Sequence, residues 1–122
     1  MGYGRKISGG KYHKFRKKKK YSLRGDERKV KLRETARKLV RKRGGGKIKI
    51  LLSADFVNLT DPTTKKTQKV KIKNVLETPA NKFLARQNVL VKGALVETDL
   101  GKARITNRPS RDGSVQAVLI KG

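Results

Sequence analysis

Residues 88-NVLVKGALVETDLGKARITNRPSRDGSVQAVLI-120 decide the class of this fold. They divide into 88-NVLVKG-93, 94-ALVETDL-100, 102-KARITNR-108 and 115-VQAVLI-120, short runs rich in valine, isoleucine and threonine. Glycine separates the first three, and Asp112-Gly113 turns the chain before the last. Runs of this length with this punctuation read as strands.

The pattern continues upstream. Val70 and Ile72 alternate with Lys69, Lys71 and Lys73, and the Thr78-Pro79 break follows. Phe56, Val57 and Leu59 lead into Asp61-Pro62-Thr63-Thr64, whose side chains favour a turn. Ile48 and Ile50 alternate with Lys47 and Lys49. The reading is a mainly β fold, a small antiparallel barrel or sandwich of six or seven strands over 47–122. Parallel pairs are not expected, because connections this short leave no room for crossovers. The predicted core is Ile48, Ile50, Phe56, Val70, Ile72, Val89, Val91, Val96, Ile105, Val118 and Ile120. It is thin, yet sufficient for a domain of about 75 residues.

Ahead of this domain the composition changes. Residues 1–47 hold 20 Lys and Arg against 3 acids, and residues 48–122 hold 14 against 6. Residues 26–46 read as a basic linker. Leu32, Ala36, Leu39 and Val40 fall on one helical stripe, which predicts a helix over 26–43 ended by Gly44-Gly45-Gly46. Early Asp26 and Glu27 and late Lys38, Arg41, Lys42 and Arg43 suit the helix dipole. A strand is the alternative, since Val30 and Leu32 alternate with Lys29, Lys31 and Arg33. Residues 1–25 form a long basic N-terminal extension with little to bury beyond Tyr3, Ile7, Tyr12 and Phe15. Ordering costs roughly 1–2 kcal/mol per residue, so this arm is expected to be disordered alone and ordered on its partner.

The net charge of +25 over 122 residues demands a polyanionic partner. No apolar run approaches the ~20 residues of a membrane span. No apolar leader follows the N-terminus, so the chain is expected to stay in the cytoplasm. Cysteine is absent, which removes disulfides, thiolate nucleophiles and Cys-based zinc sites together. His13 is the single histidine and lacks the companions that a metal site needs. Glu97 and Asp99 share a strand face, but neutralisation of nearby lysines explains them better than catalysis. Neither an enzyme, a cofactor, a metal nor a small-molecule substrate is expected.

The tract 14-KFRKKKKY-21 carries the strongest physical signal, six cations bracketed by Phe15 and Tyr21. Lysine and arginine neutralise phosphates with release of counterions, and aromatics stack on exposed bases. Solubilising and nuclear-import tracts share such a charge run. Gly9-Gly10 and Gly44-Gly45 match no nucleotide-binding loop. They serve either as flexible joints or as places where backbone approaches phosphate closely. No major-groove reading head appears, and a β-domain with a basic arm suits folded RNA held through shape and phosphates. A free nucleic-acid chaperone or nucleoid-compacting protein is the alternative.

Taken together, 5-RKISGGKYHKFRKKKKY-21, 41-RKRGGGKIKILLSADFVNL-59 and 74-NVLETPANKFLARQNVLVKGALVETDLGKARITNRP-109 resemble one family. It is the small-subunit ribosomal protein number eight family of the archaeal and eukaryotic (e-type) kind. The resemblance runs from Arg5 to about Ile120, and the short C-terminal half looks archaeal. The family's opening matches Arg5, Lys6, Ser8, Gly9 and Gly10; its next block matches Tyr12, His13, Lys14 and Arg16 to Lys20; its Arg-Gly-Gly joint matches Arg43, Gly44 and Gly45. A tryptophan usual near the start is absent, with Tyr3 nearby, and the usual Leu-Gly-Arg reads Leu23-Arg24-Gly25.

The resemblance implies a β-barrel body with an arm embedded in rRNA, and no cofactor or catalytic activity. It also implies a chain that is extended through 28–43. The expected role is a structural constituent of the small ribosomal subunit, contacting small-subunit rRNA and neighbouring ribosomal proteins. The expected RNA contacts are Arg5, Lys6, Ser8, Gly9, Gly10, Lys11, Tyr12, His13, Lys14, Phe15, Arg16, Lys17, Lys18, Lys19, Lys20, Tyr21 and Arg24. Arg37, Arg41, Lys42, Arg43, Gly44 and Gly45 complete the set.

Overall fold

A computed structural model describes residues 4–13 and 16–121. Its strands are β1 (Val30–Leu32), β2 (Ala36–Arg41), β3 (Lys47–Ala54), β4 (Phe56–Thr60) and β5 (Thr67–Glu77), followed by β6 (Val89–Leu90), β7 (Leu95–Thr98), β8 (Gly101–Ile105) and β9 (Gln116–Leu119). Two short helices, α1 (Lys82–Arg86) and α2 (Pro109–Asp112), lie between them. The expected β class holds, and the closed barrel has five strands, in the order β4-β5-β7-β8-β9. The other four form a second sheet, in the order β2-β3-β1-β6.

The expected helix over 26–43 is two strands. Its apolar stripe is split in the strands, where Leu32 and Val40 are half-buried and Ala36 and Leu39 exposed, and pairing with β3 overrides local propensity. β2 runs antiparallel to β3 from Arg37↔Leu51 to Arg41↔Lys47. β1 lies on the other side of β3, parallel to it, and pairs antiparallel with β6. Arg33, Glu34 and Thr35 carry the chain past the end of β3 and are tied there. The Arg33 amide donates to the Ala54 carbonyl at 3.2 Å, the Ser53 hydroxyl donates to the Glu34 carbonyl at 2.6 Å, and the Thr35 hydroxyl donates to Asp55. Val30, from the expected linker, is only 1% exposed and belongs to the core.

Parallel pairing also occurs, against expectation. Beside β1 and β3, β4 pairs parallel with β9 and closes the barrel. Neither pair joins consecutive strands, so the short connections impose no crossover limit. β5 serves two neighbours, β4 through its first half and β7 through its second. Register shifts at Ile72/Asn74 and Val75/Glu77 bend it around the barrel wall.

Of the predicted core, Ile50, Val70, Ile72, Val89, Val96 and Ile105 are buried. Ile48, Val91 and Val118 are half-buried, whereas Phe56 and Ile120 are exposed. On β4 the inward positions are Val57 and Leu59, with Val57 opposite Val70. That register turns Phe56 outward at 40% exposure, with the Lys69 ammonium 4.5 Å from its ring centre. Leu51, Leu90, Val115 and the small residues Ala94, Ala103 and Ala117 fill the interior instead.

Candidate nucleic-acid interface

Every described residue from Gly4 to Lys29 is exposed. Within this stretch Arg5 pairs with Lys11 in an isolated antiparallel bridge. The Lys6 amide donates to the Gly10 carbonyl at 2.9 Å and the Gly9 amide donates to the Lys6 carbonyl at 2.8 Å. The Arg5 guanidinium folds over this loop to the Gly9 carbonyl at 2.9 Å, and the Lys6 ammonium lies 5.7 Å from the Tyr12 ring centre. Ile7, Ser8 and Gly9 thus form a tight reversal that Gly10 closes between cations, and His13 follows it.

Lys14 and Phe15, like Tyr3, lie outside the described residues. Arg16, Lys17, Lys18 and Lys19 are exposed coil that leads into a 3-10 turn at Lys20–Ser22. Tyr21 presents its ring to solvent at 78% exposure, and its hydroxyl accepts from Arg16 at 3.4 Å. Arg24 is exposed beyond the turn.

The second cationic concentration is the β2–β3 hairpin. Arg37, Lys38, Arg41, Lys42, Arg43, Lys47 and Lys49 are all exposed, and no acid interrupts them. At the tip the Lys42 amide donates to the Gly46 carbonyl at 2.6 Å and the Gly45 amide donates to the Lys42 carbonyl at 3.1 Å. Gly44 and Gly45 have φ of +92° and +90°, so glycine is a requirement of the turn itself. At the base, Arg37 donates through Nε to the Gly113 carbonyl at 3.0 Å. Gly113 caps α2 at φ +73°, and a Cβ there would meet the Lys49 carbonyl oxygen at 3.0 Å. The hairpin is thereby anchored to the barrel while its tip stays free.

The structure gathers Arg37, Arg41, Lys42, Arg43, Gly44 and Gly45 on one element. It makes no hydrogen bond, among the described residues, between that element and the expected contacts from Arg5 to Arg24. Cations that were read only as strand spacers also belong to the exposed surface. Lys47 and Lys49 extend the hairpin, and Lys69, Lys71 and Lys73 line one outward face of β5 between buried Val70 and Ile72. Their alternation with core residues was the available signal.

Little within the protein neutralises this charge. Among the described residues the ion pair within 4 Å is Lys73 Nζ to Asp99 Oδ1 at 3.4 Å, with both side chains more than half exposed. Asp99 thus does what the sequence reading assigned to the Glu97 and Asp99 pair. Asp61 is spent on its own turn: Oδ1 accepts the Thr63 amide at 2.9 Å and Oδ2 accepts the Thr64 hydroxyl at 3.1 Å. The Thr63 amide holds the Asp61 carboxyl below its usual value; some desolvation opposes this, and Thr64 and Lys121 reinforce it. Among the described residues no cluster of His, Cys, Asp and Glu is placed to hold a metal, and no helix is long and apolar enough to cross a membrane. Most exposed lysines and arginines thus lack an ion-pair partner among the described residues.

Comparison with known proteins fits this surface. The family model for ribosomal protein S8e matches residues 3–120. Small ribosomal subunit protein eS8 of Sulfurisphaera tokodaii is 47% identical over 119 residues, covering 96% of this chain and 92% of that protein. The protein of the same name from Methanocella arvoryzae is 47% identical over 116 residues, covering 95% and 93%. That of Nanoarchaeum equitans is 46% identical over 118 residues, covering 96% and 92%.

Proposed function

Because the chain belongs to the ribosomal protein S8e family, we propose that it is a structural, non-catalytic constituent of the small ribosomal subunit that binds and stabilises folded rRNA. Two basic elements do the gripping. The arm Arg5–Arg24 threads between RNA segments, and the β2–β3 hairpin lays its tip against the backbone. Lysine and arginine neutralise phosphates, while Tyr12, His13, Phe15 and Tyr21 stack on unpaired bases. The barrel docks on the RNA surface and sets the direction from which both elements depart.

The observation that carries this reading is the hairpin tip. Arg41, Lys42, Arg43 and Lys47 crowd one loop with no carboxylate in ion-pair reach among the described residues. Such an arrangement is repulsive in the free protein and becomes favourable against a polyanion. Neighbouring ribosomal proteins and a cytoplasmic, subunit-bound location follow from the same role.

Sedimentation tests it. At native expression and moderate salt the protein should travel with small-subunit particles and leave them as salt rises. A profile in which it stays at the top of the gradient, or follows DNA, would reject the proposal.

A further inference from the structure

The two basic elements share more than charge. Residues 5-RKISGGK-11 and 41-RKRGGGK-47 follow one pattern, Arg-Lys-x-x-Gly-Gly-Lys, 36 positions apart. Their backbones match as well. In each, the arginine pairs antiparallel with the lysine six residues on, Arg5 with Lys11 and Arg41 with Lys47. In each, the lysine after that arginine accepts from the second-last glycine position of the loop, Gly9 to Lys6 and Gly45 to Lys42. Its own amide donates to the next glycine, Lys6 to Gly10 and Lys42 to Gly46. Both are three-residue hairpin loops whose last member has positive φ, +81° at Gly9 and +90° at Gly45.

Each copy also sets like charges opposite one another, which weakens a strand pair standing alone. A loop built twice to this unfavourable plan shares a ligand chemistry. An anion between arginine and lysine relieves the repulsion, and the glycine-bearing loop lets that anion come close. The first acid in the chain is Asp26, so nothing within the first copy's segment can serve as that anion.

We propose that these hairpins are two copies of one phosphodiester-gripping head, and that the chain is bivalent, joining two separate segments of folded RNA. This deepens the rRNA-binding reading and rests on it. Tethering makes the second contact intramolecular, so two weak heads bind together far more tightly than either does alone. The copies differ at the loop apex, Ile7-Ser8 in one and Arg43-Gly44 in the other, so their two RNA sites need not be alike.

Footprinting of full-length small-subunit rRNA with the whole chain tests the idea, using Arg5→Gln/Lys11→Gln and Arg41→Gln/Lys47→Gln. These side chains are exposed, and their neutralisation relieves repulsion, so both variants should fold, as circular dichroism will check. Lys11→Gln and Lys47→Gln are the milder substitutes. Wild-type protein should protect two separated patches, each variant should lose one different patch, and each should lower the salt slope by about 0.7–0.9 per lost phosphate contact. Loss of the same patch in both variants, a single wild-type patch, or unchanged slopes would overturn the two-head proposal. Wild-type protein that protects no rRNA at all would instead reject the underlying function.

Discussion

Arg41 and Lys47 stand opposite each other at the end of the β2–β3 ladder, and no carboxylate among the described residues lies within ion-pair distance of either. Cross-strand like charges cost stability, so local folding alone does not account for the pair. Next to it, the Gly44-Gly45 turn keeps bulk away from the tip. Under the proposed rRNA-binding role, the pair is half of a contact whose other half is phosphate.

Replacing Lys47 by Glu should therefore separate stability from binding. Opposite Arg41 the carboxylate turns repulsion into attraction, so the melting temperature should rise slightly, by a few degrees at most. RNA affinity should fall, with a salt slope shallower by about 0.7–0.9 for the contact removed. Thermal melts and filter binding across a salt series check both directions.

Deletion variants test where the folded body begins. Removing residues 1–25 takes away no buried side chain among the described residues and should leave the melting temperature almost unchanged. Removing residues 1–46 deletes β1 and β2, unpairs β3 and β6, and takes Val30 out of the core. That shorter chain should lose cooperative melting. A sharp transition in it would show that the second sheet is dispensable.

The interior has a measurable hierarchy. Leu90 is 1% exposed inside the main cluster, and Leu90→Ala should cost about 2–5 kcal/mol in urea unfolding. Phe56→Leu changes a half-exposed, outward side chain and should cost less than about 1.5 kcal/mol. Equal losses would mean that Phe56 packs inward.

That contrast marks how far the sequence could be read. Strand runs bounded by Asp61-Pro62, Thr78-Pro79 and Asp112-Gly113 were legible, because turn chemistry and alternation are local. Phe56 and Val57 are adjacent and both apolar, and only the pairing of Val57 with Val70 decides which faces in. Leu32, Ala36, Leu39 and Val40 suggest a helix while Val30 and Leu32 alternate as a strand, and the β3 ladder that chooses between them lies farther along the chain. Barrel closure by β4 and β9 joins segments too distant for any local signal. The exposed cations divide similarly: Arg16 to Lys20 and Arg41 to Arg43 stand out as charge runs, whereas Lys69 and Lys71 are hidden in the alternation of β5.

Acid should loosen the turn at Asp61. Its lowered pKa, caused chiefly by the Thr63 amide, means that the ionised carboxylate is favoured in the folded state. The contribution is fully present above the ordinary aspartate value of 3.8 and is lost as pH falls through the lower folded value. Wild type should thus melt above Asp61→Ala at neutral pH, with the gap closing below about pH 4. The gap will be small at so exposed a site. A gap that does not depend on pH would contradict the assignment.

Photo-crosslinking in intact small subunits, with peptides identified by mass spectrometry, tests the central claim most directly. The account predicts rRNA adducts concentrated in two places, the arm from Arg5 to Arg24 and the hairpin tip from Arg41 to Lys47, with few on the buried strands. Adducts spread evenly over the barrel, or an arm and hairpin linked only to neighbouring proteins, would contradict it.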